Sequence, residues 1–123
     1  LLVEDELLIG LQAKAELEAA GHEVAALAVN LTQAMQYAED LDFAFALLDL
    51  RLGNDLSISV ADKLEARNLP FVFVTGFGDD GILPKHLRSV RRFTKPYEME
   101  TILPVLARHV EGGREASEGK GVT

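Results

Sequence analysis

The sequence predicts a doubly wound α/β domain, a parallel sheet covered by helices on both faces, and three observations predict it. Short apolar runs alternate with stretches of helical period five times along the chain. The central run, Phe43-Ala44-Phe45-Ala46-Leu47-Leu48, is too short for a buried helix and suits a strand covered on both faces. Finally, polar residues recur where such runs end: Glu4 and Asp5 after the first, Asp49 after the third, Thr75 on the fourth and Lys95 after the fifth. In open α/β sheets the crevice outside the strand C-termini is where ligands and chemistry collect.

In chain order, Leu1-Leu2-Val3 is expected to be the end of a strand whose beginning precedes this numbering. Glu4-Asp5-Glu6 then leads into a first helix, where acids favour the positive end of the dipole. Ile9, Ala13, Leu17 and Ala20 mark its inward face and Gly21 its stop. His22 to Ala28 suits a second strand through Val24 and Leu27, with Val29 just beyond. Asn30 is placed to cap a helix whose Leu31, Ala34, Met35, Ala38 and Leu41 share one face. The central strand ends at Asp49, and Gly53-Asn54-Asp55 signals a turn. A short helix over residues 57–68 follows, with Val60, Ala61 and Leu64 inward. Phe71-Val72-Phe73-Val74-Thr75 is a fourth buried strand and Gly76 to Gly81 a glycine-rich loop. Residues 82–89 contain Pro84 and little periodicity, so a helix there is expected to be short, irregular or shifted. Residues 90–94 give a fifth strand, and Lys95-Pro96 turns into a last helix from about Glu98 to Val110, facing inward through Ile102, Leu106 and Val110 and bent by Pro104. From residue 112 to 123 the composition becomes that of a flexible tail or linker, leaving residues 1–111 as the domain.

At 123 residues the chain fits one core. Hydrophobic residues at 48% and charged residues at 26% are ordinary for a globular protein. No apolar run reaches the ~20 residues of a membrane span, and no secretory signal opens the chain. The absence of cysteine removes disulfides and thiolate metal sites and makes the cytoplasm the default location. A formal charge of −8 argues against a nucleic-acid partner, because binding a phosphate backbone draws on a basic face. Arg88, Arg91 and Arg92 form a small basic patch, a solvated face that could meet an acidic protein partner.

On this frame Glu4, Asp5, Asp49, Thr75 and Lys95 lie at one sheet edge. Two carboxylates ~4 Å apart repel by ~4 kcal/mol at an effective dielectric of 20, so the cluster calls for protonation or a divalent cation. A ligand set of oxygens alone selects a hard ion, and one with few protein ligands suits Mg²⁺. A hydroxyl at Thr75, an ammonium at Lys95 and a metal facing one aspartate make a pocket for phosphoryl oxygens, and carboxylates are nucleophiles toward phosphoryl groups. The pocket predicts an aspartyl phosphate on Asp49.

Through Val3-Glu4-Asp5-Glu6, Leu47-Leu48-Asp49-Leu50, Val74-Thr75-Gly76 and Thr94-Lys95-Pro96, residues 1 to 111 resemble the receiver domain of two-component response regulators. The resemblance implies a flavodoxin-like sheet of order 2-1-3-4-5. It implies that Asp49 takes a phosphoryl group from a histidine kinase or histidine phosphotransfer protein, and that Asp5, Asp49 and the backbone carbonyl of Arg51 bind Mg²⁺ with Glu4 acting through water. Thr75 and Lys95 would each contact a phosphoryl oxygen, and the peptide before Pro96 would be cis. The domain would be a phosphoacceptor that supports its own phosphorylation and dephosphorylation rather than a turnover enzyme, signalling by a conformational switch to a downstream protein. More narrowly, Leu69 to Gly78 resembles the Phe-Ala-Thr-Gly-Tyr type motif of an alphaproteobacterial subgroup, often stand-alone receivers linked to general stress signalling. The receiver of a hybrid histidine kinase is the alternative setting.

Arg92 occupies the position where most receivers carry an aromatic switch residue, so the usual coupling of hydroxyl and ring cannot operate in its ordinary form. Gly76, Gly78 and Gly81 are expected to let the following segment reorganise instead. A haloacid-dehalogenase-like phosphatase would want a second acid two residues after the nucleophile, where Arg51 stands. A flavodoxin-like cofactor domain would want amides and hydroxyls where Glu4-Asp5-Glu6 would repel a phosphate. A degenerate receiver that only binds partners would not need the full set of acids, hydroxyl and lysine. His22, His86 and His109 share no spacing and are expected at the surface, whereas Phe73, Phe77 and Phe93 are expected in or beside the core.

Overall fold

The structure, a computed structural model, describes the backbone of residues 1–122 and the side chains of residues 1–79 and 81–110. Its elements are β1 (Leu2–Val3), α1 (Leu7–Ala19), β2 (Leu27–Ala28), α2 (Leu31–Asp40), β3 (Ala46–Asp49), β4 (Arg51–Leu52), β5 (Asp55–Leu56), α3 (Ile58–Ala66), β6 (Phe71–Thr75), β7 (Arg92–Thr94) and α4 (Met99–Val122). Five strands form one parallel sheet in the order β2-β1-β3-β6-β7, which is the expected 2-1-3-4-5 once the separate β4-β5 hairpin is set aside.

Successive strand residues point to opposite faces, and the core divides accordingly. Val3, Ala46, Leu48 and Phe73 face α2 and α3, where Ala34, Ala38, Val60, Ala61 and Leu64 complete one buried cluster. Leu2, Leu47, Val72 and Val74 face the other way, against Ala13 and Leu17 of α1 and Ile102, Val105 and Leu106 of α4. Each large side chain so buried contributes roughly 1.5–3 kcal/mol. A Cβ on Gly10 would come within 2.9 Å of the Leu27 side chain, so glycine lets α1 lie close over β2. Asn30 accepts from the Gln33 amide at 2.8 Å and caps α2 as expected. Arg67, following α3, donates to the carbonyls of Ala38 and Leu41, tying down the C-terminal end of α2.

Several expectations are corrected. The buried face of α1 is Gly10, Ala13 and Leu17, whereas Ile9 and Ala20 are exposed. The second strand is two residues long, because its partner β1 offers only two residues to pair with. The turn at Gly53-Asn54 closes a small antiparallel hairpin, β4-β5, that apolar patterning did not announce. Residues 82–89, by contrast, are irregular as expected: two 3₁₀ turns, Asp79–Ile82 and Lys85–Leu87, carry the chain across, with Leu83 and Leu87 buried in the first cluster. Phe77, expected in or beside the core, is 98% exposed on the loop after β6. In α4 the inward residues are Ile102, Val105 and Leu106, with Val110 packed at the margin. Pro104 and Glu100, whose carbonyl loses its helical partner there, both lie on the exposed side, where water can take that bond. α4 runs on through Val122, and the tail expected over residues 112–123 falls outside the described side chains.

Candidate functional site

Register brings the polar residues together. Val3 pairs with Leu48, so Glu4 and Asp49 leave adjacent strands side by side. Asp49 pairs with Val74, which sets Thr75 one step further along the same edge, and Thr75 pairs with Thr94, so Lys95 is the next residue out. The Lys95 amide donates to the Thr75 carbonyl at 2.8 Å, and the Lys95–Pro96 peptide is cis, as the resemblance implies.

Glu4 and Asp49 are each 5% exposed and Thr75 is 1% exposed. Lys95 Nζ donates to Asp49 Oδ2 at 2.8 Å and to Glu4 Oε1 at 3.4 Å. Glu4 Oε2 also accepts from the Glu6 amide at 3.2 Å. Asp5 is less buried, and its Oδ2 accepts from the Gly53 amide at 2.9 Å, so the hairpin turn positions this carboxylate. One carboxylate oxygen from each of Glu4, Asp5 and Asp49 lies within 4.8 Å of the others. Thr75 Oγ1 is buried with no hydrogen-bond partner. Arg51 opens the hairpin, and its side chain turns to Asp79 at 3.0 Å rather than into the cluster.

The electrostatics follow from this crowding. Burial, reinforced by the hydrogen bond and charge of Glu4 and only partly offset by Lys95, pushes the Asp49 carboxyl up to about 8. At neutral pH the cluster therefore keeps a proton that an ordinary carboxylate would have lost. For Lys95, burial works against the charged form, but the bonds to and charges of Asp49 and Glu4 outweigh it and hold the ammonium above its ordinary value. Burial also pulls Asp5 upward, and its hydrogen bonds, first with Glu4 and then with Gly53, bring it below the ordinary range.

All five residues expected at the edge, Glu4, Asp5, Asp49, Thr75 and Lys95, meet there. Three participants were not singled out from the sequence. Gly53 supplies the amide that holds Asp5. Tyr97 lies half-buried against the cluster, lining with Glu4, Asp49 and Val74 a small cavity beneath it; its hydroxyl is raised by burial and then by the Glu4 charge. Asp79 joins the ends of two strands. Its signal was the Gly-x-x-Asp spacing from Gly76, which lets an acid reach back to the backbone amide three residues before it, as in a capping box.

A scan of protein-family models and a search of curated proteins each gave no match. Solved structures do match. SdrG from Sphingomonas melonis Fr1 in solution shares 33% identity over 89% of this chain and 92% of its own, with a TM-score of 0.73. The BeF3-activated conformation of SdrG, from Pseudomonas melonis Fr1, shares 34% identity over 86% and 90%, with a TM-score of 0.69. The chain belongs to the response regulator receiver family. The PhyR response regulator receiver domain of Erythrobacter litoralis, at 23% identity over 89% and 90% with a TM-score of 0.74, adds the same fold. The function of the chain is accordingly that of a receiver, a phosphoacceptor module in two-component signalling. Among the described residues no helix is long and apolar enough to cross a membrane.

Proposed function

We propose that Asp49 is the phosphoacceptor of this receiver and that Glu4, Asp5, Thr75 and Lys95 support the transfer. The carrying observation is the convergence at one sheet edge of a buried aspartate, a lysine ammonium 2.8 Å from it, two further carboxylates and a buried hydroxyl without a partner. Once the Asp49 carboxyl has given up its proton, a carboxylate oxygen attacks the phosphorus of a phosphohistidine, the P–N bond breaks, and the departing imidazole nitrogen takes a proton from solvent. The products are an acyl phosphate on Asp49 and a neutral histidine. Lys95, released from its bond to the carboxylate oxygen, can follow the new negative charge, and Thr75 can donate its free hydroxyl to a phosphoryl oxygen.

The residues present fit Mg²⁺. Three carboxylates meet within 4.8 Å with a single lysine ammonium between two of them, and the donors are all oxygen. Glu4, Asp5, Asp49 and the backbone carbonyl of Arg51 would hold the ion. When bound, it supplies positive charge against the phosphoryl oxygens. Its binding requires the cluster to give up its proton, so affinity should rise with pH.

The partner is a histidine kinase or histidine phosphotransfer protein, in the cytoplasm, approaching over the edge that carries Asp49. The exposed Leu7, Leu8 and Leu11 of α1 begin just after the acidic run and offer that partner an apolar surface beside the site. The domain is assigned to residues 1–111. The stretch Leu69-Pro70-Phe71-Val72-Phe73-Val74-Thr75-Gly76-Phe77-Gly78 favours the stand-alone, stress-signalling subgroup. Acetyl phosphate with Mg²⁺ tests the assignment. The intact protein should gain the mass of one phosphoryl group, and the gain should vanish without Mg²⁺ or in Asp49→Asn. Undiminished uptake by Asp49→Asn would remove Asp49 from this role.

A further inference from the structure

We propose that the Asp79 carboxylate is an internal stand-in anion, occupying donors that a phosphoryl group on Asp49 needs, and that phosphorylation displaces it. The proposal rests on Asp49 being the acceptor. Asp79 is held by two donors at once: the Arg51 Nε reaches Oδ1 at 3.0 Å, and the Gly76 amide reaches Oδ2 at 3.0 Å. Because Asp49 pairs with Val74, Arg51 and Gly76 each stand two residues beyond that pair, at the ends of the strands that present Asp49 and Thr75. The side chain of Asp79 is 13% exposed while that of Arg51 is 55% exposed, so the carboxylate is seated and the guanidinium is free to swing.

Gly76 is part of the arrangement. A Cβ there would lie 2.9 Å from Asp79 Oδ2, so a side chain would force the carboxylate away from the amide. Beside it, Thr75 Oγ1 is buried without a partner. Of the donors along this strand end, one is therefore vacant and the next is filled by the protein's own anion. A phosphoryl group carries close to two negative charges and three strong acceptors, so it outcompetes a single carboxylate for the same amide and guanidinium.

Displacing Asp79 also releases the segment it anchors. Asp79 opens the first 3₁₀ turn after β6, and from there to Val90 the chain forms no α-helix: Leu83 and Leu87 anchor it in the core, while its backbone is joined by short bonds such as Leu87 to Pro84 at 3.0 Å and Val90 to Leu87 at 3.1 Å. Gly78, at φ +83, already sits in the region glycine favours. The latch thus couples Asp49 to the 79–90 segment with Arg92 at the position where an aromatic switch would otherwise stand.

The test is NMR titration of the whole chain with beryllofluoride in Mg²⁺. Asp79→Ala should bind the mimic about fivefold more tightly, as expected when a latch closed about four-fifths of the time is removed. Asp79→Asn, which keeps an acceptor for Gly76 but not the charge for Arg51, should fall between. In the unsubstituted protein, saturation should shift the Gly76 amide and the Asp79 carboxyl carbon. Equal or weaker binding by Asp79→Ala, or a Gly76 amide and Asp79 carboxyl that do not move at saturation, overturns the latch. Failure of the unsubstituted protein to bind, or equal binding by Asp49→Asn, instead overturns the assignment of Asp49 on which the latch depends.

Discussion

The two halves of the site are built differently. On the β1-β3 side every charged group has a partner: Asp49 and Glu4 share the Lys95 ammonium, and Asp5 holds the Gly53 amide. On the β6 side Thr75 Oγ1 has none, and the Gly76 amide is taken by Asp79. The first half is an acidic cluster already leaning on a cation, and the second is a set of donors awaiting an anion. The contrast explains how one edge can accept both a metal ion and a phosphoryl group.

The sharpest break in that comparison comes from Asp49→Asn. Phosphoryl uptake from acetyl phosphate should fall below detection by mass spectrometry. Removal of one buried like charge should nevertheless raise stability to urea by about 1–2 kcal/mol at pH 8.

Lys95→Ala strips the acidic half of its cation. Because Lys95 is 35% exposed, water and salt soften the loss, and we expect destabilisation of about 1–2 kcal/mol by urea melts. Phosphorylation by acetyl phosphate should slow about 10²-fold.

Thr75→Val tests the other half, with an opposite signature. The unbonded hydroxyl costs desolvation and returns nothing in the unphosphorylated protein, so stability should stay equal or rise by about 0.5–1 kcal/mol while phosphorylation slows about tenfold. A loss of stability would mean that the hydroxyl has a partner after all.

A further effect is graded by pH. The folded-state Asp49 carboxyl titrates near 8, against 3.8 for an unperturbed one, so between those values the folded protein binds a proton that the unfolded chain has released. Without Mg²⁺, this group's contribution to stability is fully present below pH 4, declines as pH rises toward 8 and is level above it. Urea midpoints should follow that slope, and Asp49→Asn should flatten it.

Much of this was legible in the chain because the relevant signals are strong and local. The run ending at Asp49 and the run ending at Thr75 are apolar throughout, since β3 and β6 are covered on both faces, and their alternation with helical periods dictates a parallel sheet. Once the sheet order is set, Glu4, Asp49, Thr75 and Lys95 must share an edge. Less legible were features decided by contacts distant in sequence. The hairpin of Arg51-Leu52 with Asp55-Leu56 is too short to show a period, yet it delivers Gly53 to Asp5. Phe77 reads as core by its chemistry, but the left-handed turn at Gly78 and the 3₁₀ turn behind it leave the ring in solvent. Ile9 fits the helical period of α1, but the close seat of Gly10 on Leu27 rotates the buried stripe onto Gly10, Ala13 and Leu17.

Borohydride reduction tests the central claim most directly, because it converts an aspartyl phosphate to homoserine and so marks the carboxylate that carried the phosphoryl group. Protein phosphorylated in Mg²⁺, reduced and sequenced by peptide mass spectrometry, should carry homoserine at position 49. Homoserine at Asp5, or at any other aspartate with position 49 unchanged, would contradict the account.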